Sequence, residues 1–113
     1  MTKRTDVLKG TLDLLILHAL APGAQHGYGI TRWIRGTTGD VLQIDDGALY
    51  PALHRLEDRG WILADWGVSD NNRRAKFYRL SAEGRRRLET ETLAWERFSG
   101  AVGDVIRASR SAS

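Results

Sequence analysis

"DDGALYPALHRLEDRGWI", residues 45–62, sets the fold. Asp45 or Asp46 can cap a helix by accepting bonds from free backbone N–H groups. Leu49, Leu53 and Leu56 recur at i, i+4 and i+7, so they share one face. Gly60 is a stop signal. Pro51 sits deeper than the first turn, where proline is best tolerated, so the spacing predicts an irregular start or one lost backbone bond. With Leu49 set toward the core, Gly47, Pro51, His54, Arg55 and Asp58 fall on the opposite side, flanked by Ala48 and Tyr50. A helix built only for a core has no use for that mixture of small, aromatic and basic groups.

Upstream, "LKGTLDLLILHALA", residues 8–21, places Leu8, Leu12, Leu15, Ile16, Ala19 and Leu20 at helical spacing and stops at Pro22-Gly23. A second helix fits residues 27–37, with Ile30, Trp33 and Ile34 inward and Gly36 and Gly39 at its end. "VLQI", residues 41–44, reads as a short strand. Downstream, "WILADWG" and "AKFYRL" read as two strands joined by "VSDNNRR", where Asp70, Asn71 and Asn72 favour a turn. A long final helix begins at Ser81, with "ASRSAS" as a disordered tail like the first few residues.

The order is helix, helix, short strand, helix, strand, turn, strand. That predicts a mainly α (α+β) fold, a winged helix-turn-helix with a C-terminal dimerisation helix. Residues 1–80 form the DNA-binding winged-helix domain and residues 81–113 the dimerisation helix and tail.

In such a fold the second helix of the pair enters the major groove. Ala48 and Pro51 permit close approach and suit thymine methyl groups. Arg55 can bond a guanine edge or a phosphate, and Tyr50 and His54 can donate to phosphates. Arg73, Arg74 and Lys76 make the tip of the hairpin basic. From Ser69 to Arg87 seven basic residues face two acids, more positive than the chain's net charge of +3. Such a concentration is the footprint of a phosphate-backbone partner. Taken singly, His54 and Arg55 also read as solvated and Tyr50 as packed on the neighbouring helix.

"LKGTLDLLILHAL", "HGYGI", "GALYPALHRLEDRGWI" and "RRAKFYRLSAEGRRRL" together resemble the PadR family of bacterial transcriptional regulators, in the family's order, over roughly residues 8–106. The single helix after the wing resembles the family's compact subgroup. The resemblance implies a dimeric winged-helix repressor on an inverted-repeat DNA operator, released in some members by a small molecule. The wing turn "SDNNRRAK" departs from the family, where many relatives use glycines.

In the last helix Leu88, Trp95 and Val102 are seven apart, with Phe98 and Val105 on intervening positions and Glu91 as an interruption. This predicts a homodimer seam, or packing against the chain's own first helix, or both. Trp95 has two readings: a large residue in the seam, or a stacking platform for a flat aromatic effector, as the resemblance to drug-responsive relatives implies.

Other chemistry is sparse. There is no cysteine, which excludes disulfides and thiolate metal sites and fits a cytoplasmic protein. No apolar run is long enough to span a membrane. His18, His26 and His54 lack metal-ligand spacing with acids. Glu57 and Asp58 lie on different helix faces and form no acid/base pair. "HGYG" opens a helix without a dinucleotide pattern and reads as a tight turn. No cofactor motif and no catalytic constellation is present, so an enzyme is not expected. The rival reading is a winged-helix module that binds a protein without specific DNA binding.

Overall fold

The computed structural model describes residues 4–112, with side chains from Gly10 onward. The elements are α1 (Arg4–Ala19), β1 (Gln25–His26), α2 (Gly27–Thr37), α3 (Asp46–Asp58), β2 (Ile62–Val68), β3 (Arg74–Leu80) and α4 (Ala82–Ala112). The mainly helical winged-helix architecture expected from the sequence is present.

The core gathers Leu12, Ile16 and Leu17 of α1 and Leu20 just after it, Ile30 and Ile34 of α2, and Leu49, Ala52, Leu53 and Leu56 of α3. Ile62, Tyr78 and Leu80 close it from the sheet. Leu17 is fully buried although it lies off the stripe read from the sequence, because α1 is covered on more than one side, by α2 and α3 and also by α4. Leu8, assigned to that stripe, lies outside the described side chains. Trp33, expected to face inward, is 44% exposed, so Ile30 and Ile34 alone carry the inner face of α2.

Local chemistry explains the ends of α3. Asp45 Oδ1 accepts from the Ala48 amide at 2.9 Å. At the other end Gly60 adopts φ 76°, a left-handed backbone that glycine reaches without a Cβ penalty. The Trp61 amide then bonds Leu56 O and the Gly60 amide bonds Glu57 O, which satisfies two terminal carbonyls. Pro51 lies inside a continuous helix, so one backbone donor is missing on its exposed side.

Two expectations about strands are corrected. Residues 41–44 form no strand, because "VLQI" finds no partner, and Val41 is left 80% exposed. The third strand is instead β1, where Gln25 and His26 pair with Tyr78 and Phe77 of β3. The sheet order is β1-β3-β2, antiparallel throughout. "HGYG" is therefore not a free turn. His26 ends β1 and caps α2, its Nδ1 accepting from the Gly29 amide at 3.0 Å.

The hairpin β2–β3 closes over Asp70–Asn72. The Ser69 amide donates to Arg73 O at 2.8 Å, and Asn72 takes the left-handed region at φ 59°. Asparagine supplies here what glycine does elsewhere, since its short side chain tolerates that conformation.

Ser81 caps α4, its Oγ accepting from the Gly84 amide at 3.0 Å. Gly84 lies against the Trp61 carbonyl so closely that any Cβ would collide with it. Thr92 Oγ1 meets His18 Nε2 at 2.8 Å, and Leu88 packs on the core. The packing thus runs across residues 80 and 81, and the first turns of α4 share the core of the winged helix. The helix then projects, giving the molecule principal extents of 57 × 29 × 26 Å. It also continues through the segment expected to be a disordered tail, as far as Ala112.

Candidate nucleic-acid interface

A cleft of ≈ 720 Å³ lies between the start of α2, the outer face of α3 and the hairpin. Antiparallel register decides which hairpin side chains face it. Trp66 is opposite Lys76 and Val68 opposite Arg74, so these four share one face of the sheet. Trp66, Arg74 and Lys76 line the cleft from the wing, together with Arg73. Tyr50 and His54 line it from α3, and Tyr28 and Arg32 from α2.

Of the residues singled out in the sequence, Tyr50, His54, Arg73, Arg74 and Lys76 are thus brought into one cleft. Ala48 and Pro51 are exposed on α3 beside it. Arg55 is set apart. Its Nη2 donates to Asp13 Oδ1 of α1 at 2.7 Å, and its side chain is only 26% exposed. The flank of α3 carrying Arg55 also carries buried Ala52 and faces α1, so Arg55 is engaged by Asp13 and does not line the cleft. His26, Tyr28, Arg32 and Trp66 were not singled out as cleft residues from the sequence. Period-two alternation from Ile62 was the available signal for Trp66.

The cleft is electrostatically biased. Arg35, Arg59, Arg79, Arg86 and Arg87 each lie within 4 Å of a carboxylate. Arg32, Arg73 and Arg74 form no ion pair among the described residues. Arg74 is held by an aromatic face, its Cζ 4.5 Å from the centre of the Trp66 ring. Lys76 is shared: Nζ is 3.4 Å from Glu57 Oε1 and 5.6 Å from the Tyr78 ring. Burial raises the Tyr78 phenol above its ordinary range, and Glu57 and Tyr50 push in the same direction. Asp70 is the one carboxylate among the described residues lining the cleft.

Close packing holds the cleft's shape. A Cβ on Gly27 would come within 2.9 Å of the Tyr50 hydroxyl, so the glycine lets Tyr50 lie against the start of α2. His26 meets Phe77 edge-on at 5.2 Å, which ties the α2 cap to the wing.

On α4 the residues assigned to a seam divide. Leu88 is half-buried against the chain's own core. Trp95, Phe98, Val102 and Val105 are exposed, as are Leu93 and Ile106. The Trp95 and Phe98 rings are 6.2 Å apart. Among the described residues no group of acids and histidines could hold a metal, and no helix is long and apolar enough to cross a membrane.

A helix-turn-helix with a basic hairpin beside its second helix is a winged helix, the architecture of many DNA-binding transcription regulators. A family model described as the transcriptional regulator PadR-like family matches residues 16–90. The chain is 34% identical over 93 residues to an uncharacterized protein of Lysinibacillus sphaericus, covering 81% of this chain and 84% of that protein. It is 31% identical over 94 residues to a transcriptional regulator of Mycobacterium tuberculosis, covering 83% and 84%. A solved transcriptional regulator from Clostridium thermocellum superposes with a TM-score of 0.78 at 31% identity, over 88% of this chain and 96% of that one. The chain belongs to the PadR-like family of transcriptional regulators. Members and structural neighbours are regulators, not enzymes.

Proposed function

We propose that this regulator is a cytoplasmic homodimeric repressor. It places α3 and the wing of each protomer on an inverted-repeat operator and leaves it when a flat aromatic molecule binds between the protomers. The observation that carries the reading is the pairing of two surfaces in one chain. One is the basic cleft, whose Arg32, Arg73 and Arg74 lack carboxylate partners among the described residues. The other is the projecting half of α4, whose Trp95, Phe98, Val102 and Val105 leave an apolar stripe in water.

A second copy of α4 is the simplest cover for that stripe, because a two-fold axis presents the same patch from both sides. The two winged helices then meet half-sites about one DNA turn apart. In this division of labour residues 1–80 bind DNA and the projecting part of residues 81–113 joins the protomers. Trp95 and its symmetry mate flank the axis, and a planar ring stacked on them gains about 0.5–1.5 kcal/mol per aromatic pair beyond burial. To act as an inducer, the ring must favour a spacing of the recognition helices that misfits the operator, since equal affinity for both spacings shifts nothing.

The test is a gel shift on the protein's own upstream region, repeated with planar drugs and phenolic acids while tryptophan fluorescence is followed. A compound that quenches the wild type, spares Trp95→Ala and lowers operator affinity supports the reading. Trp33, Trp61 and Trp66 also fluoresce, so quenching counts only if Trp95→Ala removes it. Upstream DNA bound no better than unrelated DNA would leave the protein-interaction reading in its place.

A further inference from the structure

We infer that the cleft seats one strand of the duplex's sugar–phosphate backbone, with Arg32 of α2 as a phosphate contact, Trp66 of β2 as the apolar wall against deoxyribose, and Asp70 as a charge that weakens the grip. The inference deepens the DNA-binding reading and rests on it.

A helix in the major groove and a wing beside it are separated by a backbone ridge, so the space between them is where one strand runs. In this chain that space has walls on two sides. Arg32 and Tyr28 stand on the α2 side, and Trp66, Arg74 and Lys76 on the wing side. Trp66 is 61% exposed, a large apolar face left open beside Arg73, Arg74 and Lys76. Stacking on that indole restricts the Arg74 side chain while leaving its charge unpaired by any carboxylate among the described residues. Arg32 reaches the same cleft from another element, and it likewise has no ion pair among the described residues. Two guanidiniums and an indole converging on one channel suit a ligand that alternates anionic and apolar groups. A sugar–phosphate chain is such a ligand.

Asp70 works against this. It lies at the hairpin tip on the same cleft, where a phosphate would meet like charge. A regulator that must leave its operator has a use for such a brake.

The experiment measures affinity against salt concentration for the full-length protein, on a mixed-sequence duplex and on the upstream region. Arg32→Ala should weaken both and lower the salt slope by about one unit, and Arg32→Lys should keep the slope. Trp66→Ala should weaken both with the slope unchanged, and Trp66→Phe should restore most of the loss. Asp70→Asn should tighten binding a few-fold, a gain that misfolding cannot produce. An unchanged slope in Arg32→Ala, an affinity unmoved by Trp66→Ala, or an Asp70→Asn variant no tighter than wild type overturns the assignment. A wild-type protein that binds neither duplex overturns the DNA-binding reading itself, which separates the two failures.

Discussion

Arg55 of α3 donates from Nη2 to Asp13 Oδ1 of α1 at 2.7 Å, across 42 positions of sequence. Asp13 is 13% exposed and also lies 3.8 Å from Arg59 Nη1. The pair therefore fixes α3 against α1, the same helix that carries α4 through His18 and Thr92. Arg55 Nε is buried without a partner, so the side chain is committed to this position at some cost. Arg55→Ala should lower stability by about 1–3 kcal/mol, with partial exposure favouring the lower end. Urea denaturation of Arg55→Ala, Asp13→Ala and the double variant checks this, and the two losses should couple. Full stability with impaired operator discrimination would instead make Arg55 a base reader.

The wing residues should act on all DNA alike. Arg73→Ala and Arg74→Ala each remove a guanidinium that no carboxylate among the described residues balances. Each should flatten the dependence of affinity on salt by about 0.9 in slope for every phosphate that the arginine neutralises. Lys76→Ala should do less, because Glu57 already shares its charge. Binding titrations at several salt concentrations decide the matter, and three identical slopes would refute the ranking.

Removing α4 before Ser81 is a poor test of dimerisation, since it would also take Leu88 off the core and Thr92 from its hydrogen bond with His18. Substitution of the exposed stripe is cleaner. Val102→Glu combined with Val105→Glu should give a folded monomer with much weaker operator binding, because each half-site is then held alone. Analytical ultracentrifugation at micromolar concentration reads the mass directly. A double variant that sediments as the wild type does places the protomer interface elsewhere.

Tyr78 sets an alkaline limit. Its phenol is raised above the ordinary range by burial first, then by Glu57 and Tyr50, so folding favours the protonated form. The stability this confers is fully present below the unfolded value of about 10 and is lost as pH rises through the folded value. Unfolding free energy should therefore fall above about pH 10, and Tyr78→Phe should lessen that fall. Equal pH profiles for wild type and variant would assign the alkaline loss to other groups.

Much of the fold was legible locally. The leucine spacing of α3, its cap at Asp45 or Asp46 and its Gly60 stop, the Ser81 cap and the Asp70–Asn72 turn are chemistry within a few residues, where sequence order and spatial neighbourhood coincide. The winged-helix order and the basic hairpin follow from them. What the sequence could not decide was contact between distant segments. β1 is two residues long and exists only because Phe77 and Tyr78 lie beside it, while "VLQI" has strand chemistry and no neighbour to bond. The helical wheel put Arg55 opposite Leu49, but which flank of a helix meets water depends on where α1 packs. Leu88 and Trp95 stand one heptad apart on the same stripe, yet one joins the core and the other remains exposed. Their fates differ because α4 leaves the body of the protein between them, and periodicity carries no record of where a helix runs out of neighbours.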